Sequence, residues 1–340
     1  MKEPLPFLRK KPRRKLGLDI GSYNLKLAEI EIKEGSFEIV GLGMKDIRDT
    51  NDISGAIREI FEETHTTTKE VNISLSGENV VARHLSLPKM ADEELKKAMM
   101  FELEDHIPFK SNEIYFDYHI LGEEPNAKNR MRVFLVATKK EQLEKKVELV
   151  RLAGLEPRLV TMDALALKNT LYFNYPSKSQ TNITLLNIGD KITNILITRE
   201  QIPYFVRDTH FGGDAITALL QTKLELDKKA TEELKHNLKN ATPEVTQIIK
   251  TALVNLLNEI FISLDFYENL TEQTIDEIYI SGGTSQLFGL KEFLGGYLNS
   301  EIIDLDPFKN FSFSPNISQE TLTKLSPYLA VAVGLALEES

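Results

Sequence analysis

Two stretches decide the reading, LGLDIGSYNLKLAEI (residues 16–30) and TLLNIGDKITNILIT (residues 184–198). In each, an apolar run carries one polar residue two places ahead of a glycine, turns through a short polar cluster and returns as a second apolar run. Superposed, Asp19 lies over Asn187 and Gly21 over Gly189. A repeat at this spacing predicts two related lobes. A glycine-bearing turn exposes backbone N–H groups, and with no Cβ in the way these can cradle phosphate oxygens. A carboxylate just ahead of that glycine would repel phosphate unless a cation lay between them. Asp19 therefore implies Mg2+, held through its waters because the ion gives up its hydration shell reluctantly. Lys26 adds positive charge to the same turn. One such turn alone reads equally well as a hairpin closed by an Asx-turn. The second copy, and Gly282-Gly283 following a strand, favour the phosphate reading.

The 340 residues suffice for two domains and a sizeable core. With 41% hydrophobic and 27% charged residues the composition is that of a globular protein. No apolar run is expected to reach the roughly 20 residues that span a bilayer. The chain has no cysteine, which excludes disulfides and thiolate metal sites. A net charge of −10 argues against nucleic acid as a partner. Positive charge gathers at the start instead, in Lys2, Arg9, Lys10, Lys11, Arg13, Arg14 and Lys15. Residues 1–15 read as a basic tail: either a solvated leader, or a contact to an anionic surface at about 1 kcal/mol per basic residue.

Along the chain, strands are predicted over 16–32, 37–42, 71–75, 80–87, 114–121, 131–138 and 278–281, with helices over 53–63, 139–153, 163–172 and 328–338. Leu95, Met99, Leu103 and Ile107 fall four apart and make one helical stripe, which Pro108 ends. A long helical stretch with breaks is expected from 214 to 268. Residues 80–160 thus read as a compact α+β insert rather than part of a doubly wound sheet.

The two turns resemble the first and second phosphate loops of the actin-like ATPases, and IYISGGTSQLFGLKEFL is similar to their adenosine loop. FELEDHIPFKSNEIYFDYHIL, VFLVATKKEQLEKKVELVRLAGLEP and TMDALALKNTL resemble one branch, the PilM family of type IV pilus assembly proteins, whose relative FtsA carries a comparable insert. The resemblance runs from Lys15 onward. It implies an α/β, actin-like (ribonuclease H-like) two-lobed fold with an inserted α+β subdomain in the first lobe. The first lobe would comprise 16–79 and 161–183, the insert 80–160 and the second lobe 184–340. It also implies an ATP site formed by Gly21, Ser22, Tyr23, Asn24 and Lys26 of the first loop and by Gly189, Asp190, Lys191 and Thr193 of the second. Gly212, Gly213, Glu232, Lys235, Gly282, Gly283 and Thr284 would complete it, with Mg2+ on Asp19 and, through water, Asn187.

Asn187 departs from the family pattern, which usually has aspartate there. An amide still accepts a bond from metal-bound water but brings no charge. Lys191 occupies a position that is often small, and is expected either to reach a phosphate or to point to solvent. Asp163 stands where relatives carry the Gln or Glu that positions the attacking water, yet Asp before an apolar helix is also the usual N-cap. Phosphoryl transfer depends on positioning and electrostatics, so nucleotide binding with at most slow hydrolysis is expected. The six histidines show no ligand spacing, and there is neither a nucleophile elbow nor a P-loop.

Three functions follow from the resemblance. The first is a cytoplasmic ATP-binding scaffold at the inner face of the inner membrane. It would hold the N-terminal cytoplasmic tail of the membrane protein PilN in a groove between core and insert, and so reach other platform proteins and the assembly ATPases. Met90, Met99, Met100 and Phe101 are the apolar candidates for that groove, although at helical spacing such residues are more often core. The second is an active ATPase or sugar kinase. The third is a self-associating, FtsA-type filament protein at the membrane.

Overall fold

The structure, a computed structural model, describes residues 13–124 and 127–338. Most of the basic tail, with Lys2, Arg9, Lys10 and Lys11, lies outside the described residues. The tail as read from the sequence also extended too far, because Arg13, Arg14 and Lys15 already belong to the first strand, β1 (Arg13–Ile20). Two of them are paired: Arg14 Nε donates to Glu31 Oε1 at 3.0 Å, and Lys15 Nζ to the Glu338 carbonyl at 2.9 Å.

β1 turns into β2 (Asn24–Lys33) and β3 (Ser36–Asp46), an antiparallel meander. Helix α1 (Ile53–Glu63), N-capped by Asp52, leads to β4 (Glu70–Leu75), which pairs parallel with β1. Next come β5 (Val80–Pro88), α2 (Asp92–His106), β6 (Ile114–Glu123), β7 (Arg130–Lys139) and α3 (Lys140–Leu152). The chain then adds β8 (Glu156–Met162) parallel to β4 and forms α4 (Asp163–Asn174). A second meander follows: β9 (Ile183–Ile188), β10 (Thr193–Arg199) and β11 (Ile202–Thr209). Helices α5 (Gly213–Leu224), α6 (Lys228–His236) and α7 (Pro243–Thr271) precede β12 (Glu277–Ser281), α8 (Leu290–Leu298) and β13 (Ile302–Asp304). β14 (Ser312–Phe313), α9 (Gln319–Leu325) and α10 (Ala330–Leu337) end the fold.

The strands form three sheets, ordered β14-β3-β2-β1-β4-β8, β11-β10-β9-β12-β13 and β5-β7-β6. Without β14, the first two sheets have one topology: an antiparallel meander whose first strand continues into two parallel partners. The repeat seen in the two turns therefore extends over whole sheets.

In the three-stranded sheet, β5, β6 and β7 pack on α2, whose stripe Leu95, Met99, Leu103 and Ile107 is buried to within 5%. Each such side chain contributes roughly 1.5–3 kcal/mol. Two boundaries differ from those read in the sequence. α3 packs Val147 and Val150 into the first lobe's core beside α1 and Leu143 against the insert strands, so it bridges the two rather than belonging to the insert alone. The C-terminal segment returns to the first sheet, with β14 parallel to β3 and α10 over β1 and β2. α7 departs from the expectation that no apolar run reaches the span of a bilayer. By length and composition alone, its 29 residues would suffice to cross a membrane. Here its Ile249, Leu253, Leu256 and Ile260 face lies in the core of the second lobe.

Candidate functional site

A cleft of about 470 Å³ opens between the two large sheets. Both turns reach it, and both close in the same way. Gly21 N donates to Asn24 O at 3.2 Å, and Gly189 N to Ile192 O at 3.0 Å. A Cβ at Gly189 would meet the backbone Ile192 O at 2.8 Å, which requires glycine there; one at Gly21 would sit tightly at 3.0 Å from Asn24 O and meet the end of the flexible Lys26 side chain, Nζ, at 2.8 Å. The turns face each other, and Ser22 Oγ of one donates to Asp190 Oδ2 of the other at 3.3 Å.

Behind each turn the strand register opposes equivalent residues, Asp19 to Lys26 and Asn187 to Asn194. The first pair is ionic, Lys26 Nζ to Asp19 Oδ2 at 2.9 Å. The second is a neutral amide pair, Asn187 Nδ2 donating to Asn194 Oδ1 at 2.8 Å. Asn187 Oδ1 also accepts from Ser281 Oγ at 3.1 Å, which leaves it one lone pair for a metal-bound water.

Asp163 lies on the cleft wall with Asp19 and Ser76. It is the first residue of α4, one place past the N-cap Met162. Burial raises its carboxyl above the ordinary range, the charge of Asp19 adds to this, and Lys146 opposes it. Lys146, from α3, donates to Ser74 O at 2.7 Å just behind the wall. Asp190 is raised by burial and by Asp214.

On the far side, α6 presents Glu232 and Lys235 to the start of α5. Lys235 Nζ donates to Thr217 Oγ1 at 2.8 Å and to Glu232 Oε1 at 3.0 Å. Burial alone would raise the Glu232 carboxyl, but Thr217, Lys235 and Arg48 together hold it below the ordinary value. Gly213 keeps this corner open, since a Cβ there would meet Thr284 Oγ1 at 2.8 Å. Thr284 Oγ1 donates to Gly189 O at 2.7 Å and ties the β12 loop to the second turn.

Four residues named from the sequence do not line the cleft. Thr193 is buried, and its Oγ1 donates to Phe211 O. Gly212 packs against Asp190 O, and Gly282 takes a φ of +91° with its backbone against Ile188. Both glycines shape the loops from behind. Lys191 is exposed. Of the apolar groove candidates, Met99 is core and Met90 packs on the same cluster, whereas Met100 and Phe101 are exposed at 47% and 78%.

Several lining residues were missed, among them Met44, Asp46, Asn194, Gln286, Leu287 and Tyr328. Arg48 was missed too; its guanidinium lies 3.9 Å from the Tyr23 ring centre. Register would have found Asn194, as the counterpart of Lys26 in the repeat. The others reach the cleft only through tertiary folding.

Five lining carboxylates, Asp19, Asp46, Asp163, Asp190 and Glu232, face two ammonium groups, Lys26 and Lys235. Polyphosphate entering such a cleft needs an accompanying cation. The donors around Asp19 are hard oxygens, and among the described residues no group of three His, Cys, Asp or Glu could hold a metal directly. That combination fits a hydrated Mg2+ that arrives with phosphate.

The family model "Type IV pilus assembly protein PilM" matches residues 17–340. The chain belongs to the PilM family. Among solved structures, a PilM-PilN type IV pilus biogenesis complex is 26% identical, with a TM-score of 0.85 over 95% of this chain and 97% of that one. Two more distant structures share the fold. The ethanolamine utilization protein EutJ from Carboxydothermus hydrogenoformans is 14% identical, with a TM-score of 0.57 over 97% of this chain and 91% of its own. MreB 5 of Spiroplasma citri, bound to AMPPNP, is 10% identical, with a TM-score of 0.52 over 95% and 94%. The fold is actin-like, and this PilM-family chain is a type IV pilus assembly protein.

Proposed function

We propose that this chain is a cytoplasmic, nucleotide-binding scaffold at the inner face of the inner membrane. In this reading the cleft holds Mg-ATP, and the insert with its adjoining surface holds the N-terminal cytoplasmic tail of PilN. Through that tail the chain joins other platform proteins and the assembly ATPases, and self-association would extend the same scaffold. The observation that carries the nucleotide reading is the facing pair of glycine turns, joined by Ser22 and Asp190. Gly21, Ser22, Tyr23, Asn24 and Lys26 would hold phosphate from one side, with Gly189, Asp190 and Gly213 on the other. Glu232, Lys235, Gly283 and Thr284 would receive the nucleoside. Asp19, with Asn187 through water, would meet the magnesium shell. The metal would supply charge neutralisation between the carboxylates and the phosphates.

Asp163 is the residue placed to orient a water near Asp19. Its raised protonation tendency and the neutral Asn187 both favour slow hydrolysis at most. The exposed Met100 and Phe101 of α2, a helix whose first turn is acidic, support a peptide-binding face on the insert. Titration calorimetry tests the reading: Asp19→Ala should abolish Mg-ATP binding and weaken capture of the PilN tail peptide. Normal Mg-ATP binding by that variant would overturn the assignment of the cleft.

A further inference from the structure

The charge that the second turn lacks is present in the fold, two hydrogen bonds farther out. Asn194, which accepts from Asn187, donates through its Nδ2 to Asp208 Oδ1 at 2.8 Å. The other oxygen of Asp208 accepts from the backbone N–H of Gly77 at 2.7 Å. With Ser281 Oγ donating to Asn187 at the opposite end, every bond in the series runs toward one carboxylate. An ionised carboxylate can only accept, so Asp208 fixes which way both amides point. It thereby fixes which atom of Asn187 is free for the cleft.

The far end of the series is equally specific. Gly77 lies in the turn between β4 and β5, where the chain leaves the first lobe for the inserted sheet. Its φ of +93° is a conformation that glycine takes readily. A Cβ there would touch Ile192 Cδ1 of the second turn at 3.7 Å, so the insert's root lies against the turn itself. β5 also docks on β11, the strand that carries Asp208, where His84 Nε2 meets Pro203 O. Asn194 and Ser281 are almost wholly buried, at 1% and 3% exposure, so water competes little for these bonds.

We infer that Asn194 and Asp208 are positioning residues that orient Asn187 toward bound nucleotide and carry the state of the second turn to Gly77, the root of the insert. This rests on the nucleotide reading above. Ligand at the second turn draws on Asn187, the amide series shifts as a unit, and the Gly77 N–H bond tightens. A static brace would hold the insert equally well with the cleft empty or filled.

The test is hydrogen exchange of the segment spanning residues 74–80 in the full chain, with and without Mg-ATP, for the wild type, the isosteric Asp208→Asn and Asp208→Ala, both outside the cleft lining. Mg-ATP should slow exchange there roughly 5-fold or more in the wild type. The effect should vanish in both variants while each still binds Mg-ATP and still melts cooperatively. Asp208→Asn disrupts the series because its amide would set a donor against a donor. If the variants keep nucleotide-dependent protection, the relay is overturned and the nucleotide site stands. If the wild type binds Mg-ATP with no change at 74–80, the relay is likewise overturned. If the wild type binds no Mg-ATP, both readings fall together.

Discussion

At the scale of single residues, the two lobes solve one electrostatic problem differently. In the first, Asp19 is neutralised in place by Lys26. In the second, two amides pass the demand outward to Asp208, whose carboxyl burial pushes up from 3.8 to about 6. The charge of Asp163 reinforces that shift, while the bonds from Asn194 and Gly77, and His210 nearby, oppose it. The sign of the consequence is fixed by linkage. The folded chain keeps this proton to a higher pH than the unfolded chain, so stability falls as pH rises from about 4 to about 6 and then levels. Asp208→Asn cannot lose that proton. Its stability relative to wild type should therefore improve across the same window, whatever constant offset the substitution adds. Urea midpoints at about pH 4, 5, 6 and 7 measure the difference, and a difference that stays flat with pH would refute the shift. Asp19 and the two turn glycines were legible in the sequence because a tight turn imposes local demands on residue type. Asp208 was not, because an aspartate near the end of a strand carries no local signature and acquires its role only from partners at positions 77 and 194.

At the scale of elements, the sequence showed helices well where one apolar stripe persisted. The 53–63 segment and the Leu95-to-Ile107 stripe form as expected. β8, which contains Pro157, and β11, with Pro203 at an irregular register, were hidden by residues that weaken a strand pattern. β13 and β14 have three and two residues, too few for any period to show. α10 was visible as an apolar helix, but not its position. It lies on α4, β1 and β2, and a Cβ at Gly334 would come within 1.8 Å of Ala166 O and 2.4 Å of the carbon behind it. Two effects then compete in Gly334→Ala. Helix propensity favours alanine by about 1 kcal/mol. Overpacking costs roughly 1–3 kcal/mol, and here the obstacle is the backbone of another helix, which cannot swing aside. Overpacking should win. Gly296 of α8, with nothing within 4 Å of its would-be Cβ, is the internal control, and Gly296→Ala should stabilise. Denaturant midpoints that moved up for both variants would show that the α4–α10 contact is looser than described.

At the scale of the molecule, α4 and α10 explain how two sheets of one topology act as a unit. Ala164, Leu167 and Leu171 of α4 share a cluster with Val331 and Leu335 of α10 and with Leu185, Leu196 and Tyr279 of the second sheet. The opposite side of α10, through Ala332, Val333 and Ala336, packs on Ala28, Ile30 and Ile39 of the first. Neither lobe can lose its strands without exposing a helix pair that the other also buries. The insert differs, because Val81, Leu85, Leu95, Met99, Leu103, Val133 and Leu135 make a cluster of their own. Among the described residues, its links to the second lobe are a few polar and ring contacts and one small apolar cluster: the Gly77 bond, the Ile192 contact, His84 against Pro203, Arg132 at 5.9 Å from the Tyr204 ring, and Val80, Ala82 and Phe134 packed with Val206. Opening free energies follow such cooperative units. Native-state hydrogen exchange should therefore give one shared, high opening energy for β1, β2, β9, β10 and α10, and a separate, lower one for β5, β6 and β7. If the insert's strands exchanged only with the global transition, those few links would have to bind it as firmly as the shared helices bind the lobes. The insert could then not respond to the cleft independently of the lobes.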